Sequence, residues 1–332
     1  MLENILKYRS VSVVGIAKNT GKTETLNYIL SKLQEVGKRV AVTSIGLDGE
    51  QIDQVFGTQK PEITIYEGMI FATVEKFFKQ KTFDAKILQI SNLDTVLGKI
   101  VIAQAQTRGK VILSGATNTE TLKKLIAQFS DFGAEITMID GATSRLSLAS
   151  PAVTEAMILA TGAAYSPDIE QLTRKTKFVC SMISLETVEE NIKNILLKIN
   201  SGLWCIDNKM QVIDLQTKSS LLLKKPNENI ENCKTIFCSG AISDKLLNFL
   251  MLHRNVKNFT LIAKDFTKLF FSLQIYNIFT KKGGKILVLH RTNLIAVTVN
   301  PTSPQGIILN SQKLQTALKE QISTPVFNVR EI

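Results

Sequence analysis

The sequence predicts an α/β protein, with a doubly wound, predominantly parallel sheet over residues 1–200 and a second, smaller α/β domain over 201–332. Three observations carry this expectation. Near the amino end an apolar β-branched run passes through a short glycine-containing turn into an amphipathic pattern. Strand-like and helix-like stretches then alternate to about residue 200, beyond which hairpin-like segments and a polar break at 226–234 mark a change of texture. The 332 residues also exceed what one hydrophobic core usually organises.

Taken in order, "VSVVG" ends a strand at Gly15, and Leu26, Ile29, Leu30, Leu33 and Val36 recur at helical spacing until Gly37 supplies a stop. "RVAVTS" is the second apolar strand. "KILQIS", "KIVIAQAQ" and "KVILSGA" are strand-like, the last two separated by Thr107-Arg108-Gly109, which reads as a hairpin turn. "TNTETLKKLIAQFSDFG" reads as a helix with Thr117 or Asn118 as N-cap and Gly133 as terminator. "EITMID" is a strand ending at Asp140. "SPAVTEAMILATG" is expected to be a helix opened by Ser150 and Pro151, and "KFVCSMI" a strand. Ser184 then caps a helix with Glu186, Glu189 and Glu190 early and Lys193 and Lys198 late, as the macrodipole favours.

In the second domain "LWCIDNKMQVIDL" reads as a hairpin turning at Asp207-Asn208, with "SSLLLKK" as a third strand. "KTIFCSGAISDKLLNFLML" echoes "GKVILSGATNTETLKKLI", an echo that any βα unit produces. "FTLIAKDF" and "LIAVTVNPTSPQG" are further strand-to-turn signals, with Asp265 read as a helix N-cap in preference to a ligand-facing strand-end acid, and Asn300-Pro301 read first as a turn, with contact to a nucleotide base as the alternative for Asn300.

Composition narrows the function classes. Hydrophobic residues at 44% and charged residues at 21% are those of a soluble globular chain. No apolar run approaches the ~20 residues that span a bilayer, and no export-signal pattern opens the chain, so a cytoplasmic location without membrane contact is expected. Cys180, Cys205, Cys233 and Cys238 lie in or beside apolar stretches without Cys-x-x-Cys spacing, which favours reduced core thiols over a disulfide or zinc framework. With His253 and His290 as the only histidines, a histidine-rich metal site is nearly excluded. Residues 1–200 carry 23 Lys and Arg against 21 Asp and Glu, and residues 201–332 carry 17 against 8, so most of the formal charge of +11 lies in the carboxyl part. A nucleic-acid partner would use such an excess, but the lysines are scattered and no interleaved aromatic motif accompanies them.

Residues 15–23 read Gly15-Ile-Ala-Lys-Asn-Thr-Gly21-Lys22-Thr23, the spacing G-x-x-x-x-G-K-[ST] of a Walker A phosphate-binding loop, flanked by the strand and helix that this motif requires. Small residues in such a turn let successive backbone N–H groups converge on phosphate oxygens at a helix N-terminus. Gly15, Lys18, Asn19, Thr20, Gly21, Lys22, Thr23 and Glu24 are the expected nucleotide-binding set. Within it Lys22 is placed to neutralise the β- and γ-phosphates, and Thr23 to bind Mg²⁺. The metal also needs carboxylates from strand ends: Asp140 closes "EITMID" before a Gly-Ala turn, and Asp48, with Glu50 beside it, lies just past the second strand. Arg145 follows as a candidate for transition-state charge or for a surface ion pair.

These features resemble the SIMIBI division of P-loop NTPases, which includes dethiobiotin synthetase and the cobyrinate amidotransferases. The resemblance implies that Thr23, Asp48 and Asp140 share the metal. Ile16 stands where one subgroup carries a signature lysine, so dimerisation through that lysine is not implied and a homodimer stays open. "SVVGIAKNTGKTETLN", "IDGATSRLSLASP" and "AMILATGAAYSPD" are most similar to the family of small ATPases in the reactivating system for lysine 5,6-aminomutase. That resemblance implies an ATP hydrolase that rescues an adenosylcobalamin enzyme alongside a MutS-like ATPase. In such an ATPase Asp48 or Glu50 would orient the attacking water and Lys22 would stabilise the transferring phosphoryl group. The alternative is a metabolite kinase or ATP-dependent ligase resembling dethiobiotin synthetase. The absence of a guanine-specific Asn-Lys-x-Asp motif favours ATP over GTP.

Overall fold

A computed structural model describes residues 1–45, 62–95, 97–116, 118–141, 153–207, 211–217, 233–253 and 256–331, with backbone alone for 92–95. The chain forms two compact units, Met1–Lys177 with Asn293–Ile332, and Phe178–Thr292.

In chain order the first unit comprises α1 (Leu2–Ile5), β1 (Ser10–Gly15), α2 (Lys22–Glu35), β2 (Val40–Ser44), β3 (Ile63–Ile65), β4 (Ile70–Val74), α3 (Glu75–Phe78) and β5 (Ala85–Thr95). It continues with β6 (Gly98–Ala105), β7 (Gly109–Val111), α4 (Thr119–Asp131), β8 (Ile136–Asp140), β9 (Ala156–Gly162) and the start of α5 (Ile169–Ile183). The second unit adds α6 (Glu190–Leu196), β10 (Leu203–Ile206), β11 (Val212–Thr217), β12 (Thr235–Cys238), β13 (Ile242–Ser243), α7 (Asp244–His253), β14 (Thr260–Ala263), β15 (Leu269–Phe270), α8 (Leu273–Lys281) and β16 (Lys285–Val288). The chain then returns to the first unit through β17 (Asn293–Asn300), α9 (Ser311–Gln321) and β18 (Val326–Phe327).

Nine strands form the first unit's main sheet in the order β18-β17-β9-β1-β8-β2-β4-β6-β5. The strands from β18 to β4 are all parallel, and β6 and β5 add an antiparallel edge. β1, β2, β8 and β9 are buried along their whole length, as parallel strands covered on both faces must be. Apolar side chains of all four pack with Leu26, Ile29, Leu30 and Leu33 of α2 in one cluster, and in another Ala41 of β2 joins residues of β4 and β6 with Leu125 and Phe129 of α4. The second unit has a five-stranded sheet, β11-β10-β12-β14-β16, whose last three strands are parallel, around a core of its own that includes Phe259, Phe279 and Leu247.

The α/β class and the largely parallel main sheet agree with the sequence. Several elements do not. Residues 156–162, expected in a helix, are strand β9 between β1 and β17, with every residue buried. An apolar run buried on both faces shows no alternation, so spacing alone does not separate it from a buried helix. "KFVCSMI", expected as a strand, is the end of α5, where Leu172, Thr176, Cys180 and Ile183 recur buried at helical intervals. Ser184 is not the cap of the next helix: α6 starts at Glu190 after Glu189, and Thr187 forms a parallel bridge to Val288. The expected 107–109 hairpin is absent, because β7 pairs with β3 rather than β6.

Two larger expectations also change. The domain limit near 200 falls inside the second unit, and β17 and β18 carry the chain's last residues back into the first sheet, so the second unit is an insertion. Cys205 and Cys233 form a disulfide with Cα atoms 5.7 Å apart, against the expectation of four reduced thiols. The antiparallel pairing of β10 with β12, with Cys205 opposite Ile236, brings together two cysteines that lie 28 positions apart in sequence. Cys180 and Cys238 are buried thiols outside that bridge, and burial pushes Cys180 up to about 12. Asn118 caps α4 by accepting from Thr121 N–H, and Gly133 ends the turn after it with φ +88°, both as expected. Among the described residues no helix is long and apolar enough to cross a membrane.

Candidate functional site

The order of the main sheet changes direction at β1: β8, β2 and β4 lie on one side, and β9, β17 and β18 on the other. Parallel strands end on the same edge of a sheet, and ligands of open α/β sheets bind outside the carboxyl ends where the order reverses. The residues that reach this edge around β1 are Gly15, Ser44, Asp140, Gly162 and Asn300, with Ser44 opposite Asp140, Gly15 opposite Ala160 and Asn300 opposite Gly162.

From Gly15 the backbone continues along β9, with Ile16 N–H donating to the Ala160 carbonyl at 2.9 Å, and then leaves the sheet. Thr20 is buried, and its hydroxyl donates to the Ala17 carbonyl at 2.9 Å, which closes the turn from within. Asn19 has φ +60° and Gly21 φ +88°, so two residues of a six-residue turn are left-handed. At Gly21 the reason for glycine is steric as well as conformational, since a Cβ there would lie 2.9 Å from Asn300 Cβ. α2 begins at the next residue, and no side chain caps it.

The first residue of α2 is Lys22. Its ammonium group donates to Asp140 Oδ1 at 2.6 Å, with the lysine side chain 17% and the aspartate side chain 11% exposed. The pair joins the helix start to the end of β8 across the mouth of the loop. It is shielded enough that deleting one partner strands a charge in a poor solvent, an imbalance that costs several kcal/mol in fully buried pairs. Asp140 is fixed by its neighbours: Ser44 Oγ donates to its carbonyl at 3.2 Å and Ile45 N–H donates to it at 3.0 Å.

The structure therefore brings Gly15, Asn19, Thr20, Gly21, Lys22 and Asp140 to one place, with Thr23 half-buried on the first turn of α2 and Lys18 exposed on the turn. Glu24 is engaged elsewhere: Arg330 donates to it twice, at 2.8 and 3.1 Å, and this guanidinium holds the Glu24 carboxyl below its ordinary range. Asp48, Glu50 and Arg145 lie outside the described residues. Among the described residues no three His, Cys, Asp or Glu side chains cluster as a metal site. Sequence reasoning missed Arg330 and Thr298, whose hydroxyl meets that of Thr25 at 2.8 Å. Nothing local marks either residue, because the partners are separated by most of the chain.

In the second unit Asp265 is the expected cap, accepting from Thr267 N–H at 2.9 Å and from the Thr267 hydroxyl. Comparisons with models of protein families, with curated proteins and with solved structures find no match.

Proposed function

We propose that the chain binds Mg²⁺-ATP at the β1–α2 turn and hydrolyses it, in the manner of a SIMIBI-type P-loop ATPase. The observation that carries this reading is the Lys22–Asp140 contact at the switch point of the sheet, at the end of a turn with left-handed backbone at Asn19 and Gly21. Left-handed residues between right-handed ones turn successive N–H groups to the same side, which makes a concavity for anions.

The residues present fit the group. Lys22 is a point charge beside the loop, and Thr23 and Asp140 offer the hydroxyl and carboxylate oxygens that a hard cation takes. When bound, Mg²⁺ would neutralise charge on the phosphate oxygens. The protein's own part is positioning. The turn aligns N–H groups toward the phosphates, the start of α2 adds the positive end of its dipole, and Lys22 moves from the Asp140 carboxylate onto phosphate oxygen. The exchange leaves the Asp140 carboxylate available for metal. Asp48 or Glu50 would orient the attacking water.

The resemblance noted above gives hydrolysis a use: reactivation of an adenosylcobalamin-dependent aminomutase together with a MutS-like ATPase. This part of the reading predicts slow basal turnover that a partner stimulates. Calorimetry on the full chain in magnesium buffer tests the nucleotide site, and uptake of neither ATP nor GTP would overturn it. Capture from a strain producing a cobalamin aminomutase, with and without ATP, tests the partner. Capture that ignores nucleotide would remove the reactivase reading and leave the ATPase standing.

A further inference from the structure

We propose that Asn300 is a positioning residue for the phosphate-binding turn, shaping it from the carboxyl end of β17, and that it does not contact the nucleotide base. The inference rests on the ATP reading above and adds to it a residue some 280 positions away in sequence.

Asn300 ends β17, the second strand from β1, with β9 between them. Its backbone is seated on the end of β9: Ala163 N–H donates to the Asn300 carbonyl at 2.9 Å, and Gly162 allows the approach, since a Cβ there would lie 2.1 Å from that oxygen. From this seat the side chain reaches the turn. Nδ2 donates to the Asn19 carbonyl at 3.3 Å, while Oδ1 accepts from Thr302 N–H at 3.2 Å and from the Thr302 hydroxyl at 2.9 Å. The Thr302 N–H can only donate, so it fixes which end of the amide is oxygen and leaves the NH₂ for Asn19.

The same side chain also bounds Gly21, whose missing Cβ would sit 2.9 Å from Asn300 Cβ. Asn300 thus touches both left-handed positions of the turn, holding the carbonyl of one and closing the space over the other. Two residues earlier on β17, the Thr298 hydroxyl meets that of Thr25 at 2.8 Å in a buried pair, so the strand is also fastened to the first turn of α2. The oxygen and one N–H of the amide are thus given to the shape of the turn, and the shape of the turn decides where its N–H groups point.

The experiment is calorimetry with Mg²⁺ and three ligands, ATP, GTP and inorganic tripolyphosphate, on the full chain and on Asn300→Ala, Asn300→Asp and Thr302→Val. Because tripolyphosphate has no base, a positioning role predicts that Asn300→Ala weakens all three by the same factor, roughly tenfold, the worth of one hydrogen bond. Asn300→Asp sets a carboxylate against the Asn19 carbonyl and is expected to be at least as weak. Thr302→Val leaves the amide in place but unlocks it, with a loss of about threefold in the same pattern. The fitted stoichiometry separates weaker binding from a smaller folded fraction, and Thr302→Val carries the test if the Asn300 variants do not fold. Loss confined to ATP or GTP with tripolyphosphate unchanged would make Asn300 a base contact and overturn the proposal. Affinities within twofold of wild type for all variants would overturn it too, and both outcomes leave the ATP reading intact. A wild-type chain that takes up no ligand would remove that reading and this proposal with it.

Discussion

The two units present the same structural opportunity and use it differently. Each has parallel strands ending on one edge, with an aspartate at or just past a central strand: Asp140 closes β8, and Asp265 follows β14 by two residues. Asp140 faces across the edge to Lys22 at the start of α2. Asp265 folds back on its own backbone and caps the turn at Phe266–Lys268 through Thr267. A strand-end acid is therefore not a site in itself. What separates the two is the following partner, a cation delivered by a left-handed turn in one unit and a neighbouring hydroxyl in the other.

The sharpest way to break this contrast is Lys22→Ala. If the β1–α2 turn is the nucleotide site, the substitution removes the charge that meets Asp140, and ATP affinity is expected to fall by at least about 100-fold, some 3 kcal/mol. Calorimetric affinity within a few-fold of wild type would show that the contact is structural. Asp140→Ala is expected to act on turnover more than on binding. Hydrolysis in saturating Mg²⁺-ATP should drop about 100-fold while ATP still binds, because the carboxylate is assigned to the metal-dependent step. Equal loss of binding and turnover would instead make Asp140 a support for Lys22.

The control in the second unit is Asp265→Ala. Loss of the cap is expected to cost about 1–2 kcal/mol, read as a lower unfolding midpoint, with ATP affinity unchanged. An effect on nucleotide binding would erase the distinction between the two acids.

The parts of this arrangement that were legible in the sequence are local ones. The Gly15–Thr23 spacing, the helix stop at Gly37, the Asn118 cap and the strand ending at Asp140 depend on residues within a turn or two of each other. What escaped depends on long-range placement. β9 becomes a strand because β1 and β17 sandwich it, a fact absent from its own seven residues. Cys205 meets Cys233 because β10 returns along β12. Asn300 was readable as a turn, which it is through Thr302, but its hold on Asn19 requires knowing that the last parallel strands come back to lie two places from the first. The inserted unit hides this return, since it puts over a hundred residues between β9 and the strand that pairs with it.

The smallest expected effect tests the outermost of these long-range links. Arg330 and Glu24 form a bidentate pair, yet their side chains are 55% and 52% exposed, so solvent screening limits the pair to about 1 kcal/mol or less. The hydrogen bonds and charge of Arg330 hold the Glu24 carboxyl below its ordinary 4.5. A depressed carboxylate stabilises the folded state above the ordinary value and loses that contribution as pH falls through the lowered one. The stability difference between wild type and Arg330→Ala should therefore be a few tenths of a kcal/mol at neutral pH, shrink in high salt and vanish in acid below the lowered value. Denaturant titrations of both proteins at neutral and acid pH measure it. A difference that survives in acid would mean that Arg330 acts through packing of its alkyl stem, and the link from the chain's end to α2 would then be apolar rather than ionic.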